Sequence, residues 1–194
     1  RKLTGLSVLM GGGRKWFLPA TVPGSARSHS NDYEFSMVDA HTADIVKRWN
    51  ASPGKLDKDR DLISDFQKAG FQYASDLASL NNLNMKSTDK LLGLFAYSNM
   101  NVALDKIDGR RNVAKGVKGR VVDDFGFPDQ PMLEEMTAKA LDVLKKNKKG
   151  FVLMVEGASI DKQAHNMDTE RWILDTIEFD RAIKVAQDFA EKDG

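Results

Sequence analysis

The 194-residue sequence predicts an α/β fold in which helices pack on a largely parallel sheet. Short apolar runs of strand length alternate with segments whose apolar residues recur at helical spacing. One of these runs, residues 151–155, is apolar at every position, which is typical of a central strand covered on both faces. Apolar residues make up 41% of the chain, enough to form a buried core.

The N-terminal third predicts a strand, a long excursion and a helix. Residues 6–10 form an apolar run that ends at three consecutive glycines, so we expect a buried strand there. Residues 19–34 are rich in Ser, Pro, Gly and Asn, which predicts a surface loop or insertion. Residues 42–49 have helical spacing and are followed by a Pro-Gly breaker.

The middle of the chain repeats a helix-strand alternation. Residues 61–69 predict a helix that ends at Gly70, and residues 71–75 predict the strand that follows it. A short helical turn at 77–83 then leads to an apolar strand at 91–96.

Residues 108–120 carry five Lys or Arg side chains, three glycines and little apolar content. A polyanion-binding patch would place aromatic residues between the cations, and none occur here. We therefore expect a second surface loop or insertion.

The last third predicts two helices around the 151–155 strand. Residues 132–144 form an apolar stripe after Pro131 and end in a Lys-rich run and a glycine. Residues 169–191 predict the final helix, with Asp168 as its N-terminal cap. Its expected buried side consists of Trp172, Ile173, Ile177, Ile183, Ala186 and Phe189.

Charge and cysteine content exclude several functions. The chain has 29 Lys and Arg against 28 Asp and Glu, so it has no overall attraction for nucleic acid. Without cysteine, metal or nucleophilic chemistry falls to His, Asp, Glu, Ser or Thr. No apolar run approaches the ~20 residues that span a bilayer. Because the sequence starts without Met and without a signal-peptide pattern, we expect a segment of a longer protein.

Candidate metal ligands follow the predicted 151–155 strand directly. Glu156 lies at its carboxyl end, where functional groups gather in open α/β sheets. Asp161 and His165 are four residues apart, so one helical turn would place both on one face, within reach of a single cation. Carboxylate with imidazole suits zinc, and Glu156 alone could serve a separate magnesium ion. The same spacing also occurs in salt bridges and helix caps.

The residues around this cluster resemble the alkaline phosphatase family. Residues 155–165, VEGASIDKQAH, are similar to the V-E-G-x-x-I-D-x-x-x-H metal segment of its bacterial members. Residues 8–15, VLMGGGRK, resemble the family's V-L-G-G-G-R-K stretch, and residues 92–95, LGLF, one of its strands. The 132–144 segment resembles its M-T-x-K-A helix. The resemblance extends over nearly the whole chain and is weakest at 19–34 and 108–120.

The resemblance implies specific roles. It implies that Glu156 binds Mg²⁺, that Asp161 and His165 bind Zn²⁺, and that Lys162 acts near the phosphate, through water. The intact enzyme would hold two zinc ions, together with magnesium. The family's D-S-A-x-x-A-T nucleophile motif is absent from these residues, so the phosphoserine would form elsewhere in the chain.

The resemblance also implies the architecture and setting of the whole protein. Residues 1–194 would be a single partial domain of a three-layer αβα sandwich, inactive alone and dependent on the remainder of the phosphatase chain. The complete enzyme would hydrolyse phosphate monoesters as a periplasmic or secreted homodimer. Two alternatives stay open: a non-catalytic α/β binding or assembly module, and another superfamily member such as a phosphodiesterase, sulfatase or phosphomutase.

Overall fold

A computed structural model describes residues 5–28, 59–112 and 129–193. The helix predicted at 42–49 and the parts of the predicted loops at 29–34 and 113–120 lie outside these residues.

Three parallel strands form the sheet. They are β1 (Val8–Gly11), β2 (Gln72–Ala74) and β3 (Leu91–Leu94), in the spatial order β1-β3-β2. Val8 and Gln72 both pair with Leu91, so β3 is hydrogen-bonded on both sides. Every residue of β3 is buried, as expected for the centre of a parallel sheet. The α/β fold predicted from the sequence is confirmed.

Two short helices flank β2 and begin at aspartates. Helix α1 (Leu62–Lys68) starts after Asp61, whose Oδ1 accepts a hydrogen bond from the Ser64 backbone N–H at 3.1 Å. Helix α2 (Leu77–Asn82) starts after Asp76, which accepts from the Ser79 N–H at 2.6 Å. These bonds satisfy N–H groups that a helix start leaves unpaired. Helix α1 is followed by Gly70 with φ of 90°, the left-handed terminator that its sequence predicts.

Four longer elements complete the described chain: α3 (Ala103–Asn112), α4 (Leu133–Leu144), α5 (Ala158–His165) and α6 (Thr169–Asp193). Helix α4 contributes Met136 and Val143 to the core that contains Leu91 and Phe95. Across the described ranges, none of the helices combines the length and apolarity that a membrane crossing requires.

Helices cover both faces of the sheet. On the face opposite α4, Ile63 and Phe66 of α1 pack against Leu92 and Leu94. Alternate residues of β3 therefore point to α4 and to α1, because successive side chains of a strand leave on opposite sides. The described residues thus form helix, sheet and helix layers.

Both predicted loops contain more structure than expected. Residues 108–112 are the last positions of α3 and not a loop. Within 19–28, a 3₁₀ turn forms at Ala26–Ser28, and Ser25 and Arg27 are buried. The Arg27 guanidinium donates to the Arg60 carbonyl at 2.6 Å, a long-range contact that composition does not reveal.

Residues 151–155 differ from the predicted central strand. Their side chains alternate: Leu153 and Val155 are half-buried, whereas Val152 is 94% exposed and Met154 is 85% exposed. This is the alternation of an extended chain. The segment pairs with no strand among the described residues, so the apolar pattern predicted its conformation but not its partners.

Helix α6 packs through a different face from the predicted one. Asp175, Glu178 and Ala182 are buried at successive turns. Four residues of the expected buried side are instead 41 to 51% exposed: Trp172, Ile173, Ile177 and Ile183. The reason is that α6 contacts α3 and α4 through buried polar side chains, and apolar periodicity does not indicate such side chains.

Candidate functional site

Asp161 and His165 lie together on α5. The His165 Nε2 and the Asp161 Oδ2 are 3.5 Å apart, one helical turn along the same face. Their side chains are 79% and 84% exposed respectively, so both are open to a cation and to ligands from another part of the protein. A carboxylate oxygen and an imidazole nitrogen are donors that zinc accepts.

Glu156 is exposed at the end of the extended 151–155 segment, immediately before Gly157 and α5. No group of three or more His, Cys, Asp or Glu side chains that could hold a metal occurs within the described ranges. The Asp161–His165 pair therefore fits two positions of a four-ligand zinc shell, and Glu156 fits one oxygen position of a magnesium shell.

Lys162 is exposed on α5 and lines the same large cleft as Glu156. The structure thus brings Glu156 and Lys162 to one cleft, and Asp161 and His165 to each other. Since a protonated ammonium group does not ligate metal, Lys162 can attract an anion that enters this cleft. The other two histidines, His29 and His41, lie outside the described residues.

The cleft has a volume of about 2080 Å³. Residues 5–13, including β1, and residues 149–159 line it. Apolar residues of α4, among them Met136, Ala140 and Val143, also belong to the lining. Glu156 and Lys162 belong to the same cleft lining as the glycine turn that follows β1.

The glycine turn holds β1 against the loop after β3. A Cβ on Gly12 would collide with the Ser98 carbonyl oxygen, and the Gly13 N–H donates to that oxygen at 2.5 Å. Gly13 adopts φ of 79°, which favours glycine. The buried Arg14 then donates from Nη1 to the Leu94 carbonyl at 2.8 Å. These contacts support a structural role for the turn.

A buried charge cluster that the sequence patterns did not predict also lines the cleft. Lys106 Nζ lies 2.5 Å from Glu178 Oε1, and the Asp175 Oδ1 accepts from the Ala103 N–H at 3.0 Å. Burial is the main cause that raises the pKa of Asp175 to about 6, and the nearby Glu178 raises it further. The sequence carries one signal of this cluster, because Asp175 and Glu178 are acidic residues spaced three apart among the apolar residues at positions 172–174, 177 and 179.

A guanidinium joins α6 to α3 at the start of α6. Arg171 donates to Asp168 at 2.8 Å and to Asp105 at 3.0 Å. The hydrogen bonds from Arg171 lower the pKa of Asp168. Asp168 is also the helix cap that the sequence predicts, since its Oδ1 accepts from the Arg171 N–H at 3.2 Å.

Comparison with known proteins gives one consistent result. A sequence profile described as alkaline phosphatase matches residues 2–194. Alkaline phosphatase of Escherichia coli (strain K12) is 41% identical over 136 residues, which cover 69% of this chain and 29% of that protein. Alkaline phosphatase 3 of Bacillus subtilis (strain 168) is 34% identical over 168 residues, which cover 86% of this chain and 31% of that protein.

Solved structures give the same fold. The crystal structure of Thermus thermophilus alkaline phosphatase matches with a TM-score of 0.64 at 23% identity, over 97% of this chain and 28% of that one. A cold-active alkaline phosphatase from the psychrophile Shewanella sp. matches with a TM-score of 0.55 at 26% identity, over 96% of this chain and 30% of that one. The chain therefore spans less than a third of the length of these relatives.

Proposed function

This chain belongs to the alkaline phosphatase family, and from that premise we propose that it is one segment of a metal-dependent phosphomonoesterase. The observation that carries the proposal is the Asp161–His165 pair, whose donor atoms lie 3.5 Å apart and exposed on one face of α5. The remaining ligands and the nucleophilic serine would come from the part of the polypeptide outside these residues.

Each residue has a distinct task in this proposal. Asp161 and His165 would hold a zinc ion through one carboxylate oxygen and one imidazole nitrogen, and Glu156 would hold magnesium. The complete enzyme would contain two zinc ions, together with magnesium. When bound, zinc supplies a Lewis acid that polarises the phosphoryl group and lowers the pKa of a bound water.

Lys162 would attract the phosphate of the substrate, through a water molecule. A protonated ammonium group adds positive charge where the transferring phosphoryl group is negative, without competing for a metal position. The helical turn that presents Asp161 also presents Lys162, so α5 would orient both relative to the phosphate. Hydrolysis would proceed through a phosphoserine formed on a serine outside these residues.

The location, oligomeric state and substrate class of the complete enzyme are proposed from the family resemblance. We propose a periplasmic or secreted homodimer that acts on phosphate monoesters. The alternatives named above make different predictions: a phosphodiesterase or sulfatase would prefer another ester, and a binding or assembly module would turn over none.

The test uses the full-length protein with zinc and magnesium, and measures hydrolysis of p-nitrophenyl phosphate together with metal content. We expect Asp161→Ala and His165→Ala to lose most of the activity and to reduce bound zinc. Glu170→Gln removes an exposed carboxylate of α6 and serves as the matched control. Wild-type zinc content and turnover in both ligand variants would contradict the proposal. Bis-p-nitrophenyl phosphate and p-nitrophenyl sulfate distinguish the other superfamily activities.

A further inference from the structure

Met167 has a left-handed backbone conformation that a side chain disfavours. Its φ is 55°, and every other described residue with a positive φ is a glycine. The left-handed region brings Cβ close to the following carbonyl oxygen, so glycine and, less often, asparagine are the residues that normally adopt it. Methionine therefore carries a conformational cost here that glycine would avoid.

The hydrogen bonds that end α5 hold Met167 in this conformation. The Met167 N–H donates to the Ala164 carbonyl at 3.0 Å, and the Asp168 N–H donates to the Gln163 carbonyl at 3.1 Å. These two bonds form the Schellman motif, in which the residue after the helix cap is usually glycine. The motif explains the left-handed backbone, but it does not explain a methionine.

The start of α6 fixes the same turn from its other side. The Asp168 carboxylate caps α6 and accepts from the Arg171 guanidinium at 2.8 Å. Arg171 also donates to Asp105 of α3 at 3.0 Å. Three helices therefore determine where Met167 lies.

Packing among the described residues does not offset the cost. Met167 and Trp172 occupy the positions just before the cap and four residues into the helix, which form a hydrophobic staple at many helix starts. A closed staple would bury Met167, yet Met167 is 86% exposed and Trp172 is 44% exposed. A strained residue that its surroundings hold in place, without a gain in packing, is typical of a functional site.

Met167 lies beside the proposed zinc ligands. It follows His165 by two residues, so their Cα atoms are at most ~7 Å apart. The His165 side chain is 79% exposed, so this part of the surface is open to a substrate. A zinc ion lies about 2.0–2.1 Å from an imidazole nitrogen, and methionine has a long, unbranched and flexible side chain. Met167 can therefore contact a group that binds at this position.

The organic part of the substrate leaves at this position in the proposed reaction. In the first step the serine loses its proton and bonds to phosphorus, while the bond from phosphorus to the ester oxygen breaks and the alcohol leaves with a proton. In the second step a water loses a proton and bonds to phosphorus, and the serine regains its proton. Both displacements are in line, so the alcohol departs and the water enters on the side opposite the serine. The side on which Asp161 and His165 activate the water is therefore also the side of the leaving group.

We propose that Met167 contacts the organic group of the phosphate monoester and gives the enzyme a preference for aryl esters over small polar esters. The inference rests on the proposed function, because it requires the leaving group to lie beside Asp161 and His165. A methionine sulfur makes favourable contacts with aromatic rings. It is only a weak acceptor for the hydroxyl groups of a polyol.

Kinetics of the full-length protein with zinc and magnesium test the inference. Met167→Gln keeps the side-chain length but replaces the thioether with an amide, and Met167→Gly removes both the side chain and the strain. We expect both variants to lower kcat/KM for phenyl phosphate about 2- to 10-fold, the range of a sulfur–aromatic contact, and to leave kcat/KM for glycerol 2-phosphate unchanged. Ile173→Gln replaces another exposed apolar side chain and is the matched control, which should change neither value.

Binding of phosphonates gives a readout that does not depend on turnover, because their carbon–phosphorus bond is not hydrolysed. Calorimetry compares phenylphosphonate with methylphosphonate. We expect the phenyl compound to bind more tightly to the wild type, and the ratio of the two affinities to fall about 2- to 10-fold in both Met167 variants. Met167→Gly should also be at least as thermally stable as the wild type, because glycine has no Cβ penalty in this turn.

Three results overturn the inference. They are unchanged phenyl-to-methyl affinity ratios in both Met167 variants, an equal loss for both esters together with lower zinc content, or a loss in Ile173→Gln as large as that in Met167→Gln. Turnover that depends on Asp161 but shows an unchanged substrate preference refutes this inference alone. Absence of Asp161-dependent turnover of any phosphate ester refutes the proposed function and this inference together.

Discussion

Lys106 and Glu178, 72 residues apart in the chain, form a buried ion pair with 2.5 Å between Nζ and Oε1. The same Glu178 oxygen accepts a hydrogen bond from the Leu133 N–H at 2.8 Å. One carboxylate therefore connects α6 to α3 and to the start of α4.

Removing one member of the pair should destabilise the protein strongly. Lys106→Met leaves the Glu178 charge buried without its cation, and such a change costs about 3–5 kcal/mol. Lys145→Met is the matched control, since the Lys145–Asp142 pair is exposed and worth at most ~1 kcal/mol. Urea denaturation followed by circular dichroism measures both. Equal, small effects of the two substitutions would show that the buried pair does not stabilise the fold.

Because the pKa of Asp175 is raised in the fold, the free energy of unfolding should fall as pH rises from about 4 to 6. Its pKa is raised to about 6 in the folded protein, so the unfolded chain loses this proton first and the folded state binds it more tightly. The stability that protonated Asp175 contributes is complete below the ordinary pKa of Asp and is lost as pH rises through about 6.

The variant Asp175→Asn should remove this dependence. Asn keeps the acceptor for the Ala103 N–H, and we expect it to be more stable than wild type above pH 6, by at most about 3 kcal/mol. Asp188→Asn is a control with the opposite pH dependence. Lys184 lowers the pKa of Asp188, so the stability that Asp188 contributes to the fold is lost as pH falls. Urea titrations at pH 4, 5, 6 and 7 test this. A difference between wild type and Asp175→Asn that is independent of pH would contradict it.

Gly93 should not tolerate a side chain. A Cβ there would collide with the Phe95 ring and lie 3.0 Å from Met10, and forced overpacking of a core typically costs 1–3 kcal/mol, so we expect Gly93→Ala to cost about 2 kcal/mol. Gly11→Ala is the control, because nothing lies within 4 Å of its Cβ position. Thermal denaturation of both variants gives the comparison. A Gly93→Ala protein as stable as Gly11→Ala would mean that the Phe95 ring can move aside.

Residues 1–194 alone should not hydrolyse p-nitrophenyl phosphate, even with added zinc and magnesium. Asp161 and His165 supply two donors, and within the described ranges no third ligand joins them. Calorimetric titration should show weaker zinc binding than in the full-length protein. Turnover by the isolated chain that depends on Asp161 would contradict the proposal that the remaining ligands lie elsewhere.

Lys162→Ala in the full-length enzyme should weaken phosphate binding without removing zinc. Losing one ammonium near the phosphate should raise KM and the inhibition constant of inorganic phosphate roughly tenfold, the effect of about 1.4 kcal/mol. Lys184→Ala, on α6, is the control; its ammonium pairs with Asp188. A fall in zinc content with unchanged phosphate inhibition would assign Lys162 to the metal site instead.

Local signals in the sequence predicted much of the fold. The apolar spacing of residues 61–69 and the Gly70 terminator act within a few residues, so this local pattern predicted α1 closely. The apolar run at residues 91–96 likewise predicted a strand, which the structure shows as β3, although its central position was expected for residues 151–155 instead. The one-turn spacing of Asp161 and His165 predicted a pair that the structure places 3.5 Å apart.

Features that depend on distant partners were not predicted. Helix α3 carries the buried Lys106, and its neutralising partner Glu178 is 72 residues away. Because their partners are also distant in the chain, Asp175 and Glu178 are buried in the protein interior, whereas Trp172 and Ile173 on the same helix are exposed. Residues 151–155 have the composition of a central strand. Composition does not determine which strands lie next to this segment, so its partners could not be predicted.

The strand order β1-β3-β2 also has a consequence for the time course of synthesis. Val8 and Gln72 both require Leu91, so neither outer strand can pair until β3 has been made. At about 5–20 residues per second, translation leaves β1 without its β3 partner for on the order of 10 s. During that interval its apolar side chains are targets for chaperones, and a ribosome pause before residue 91 would prolong their exposure.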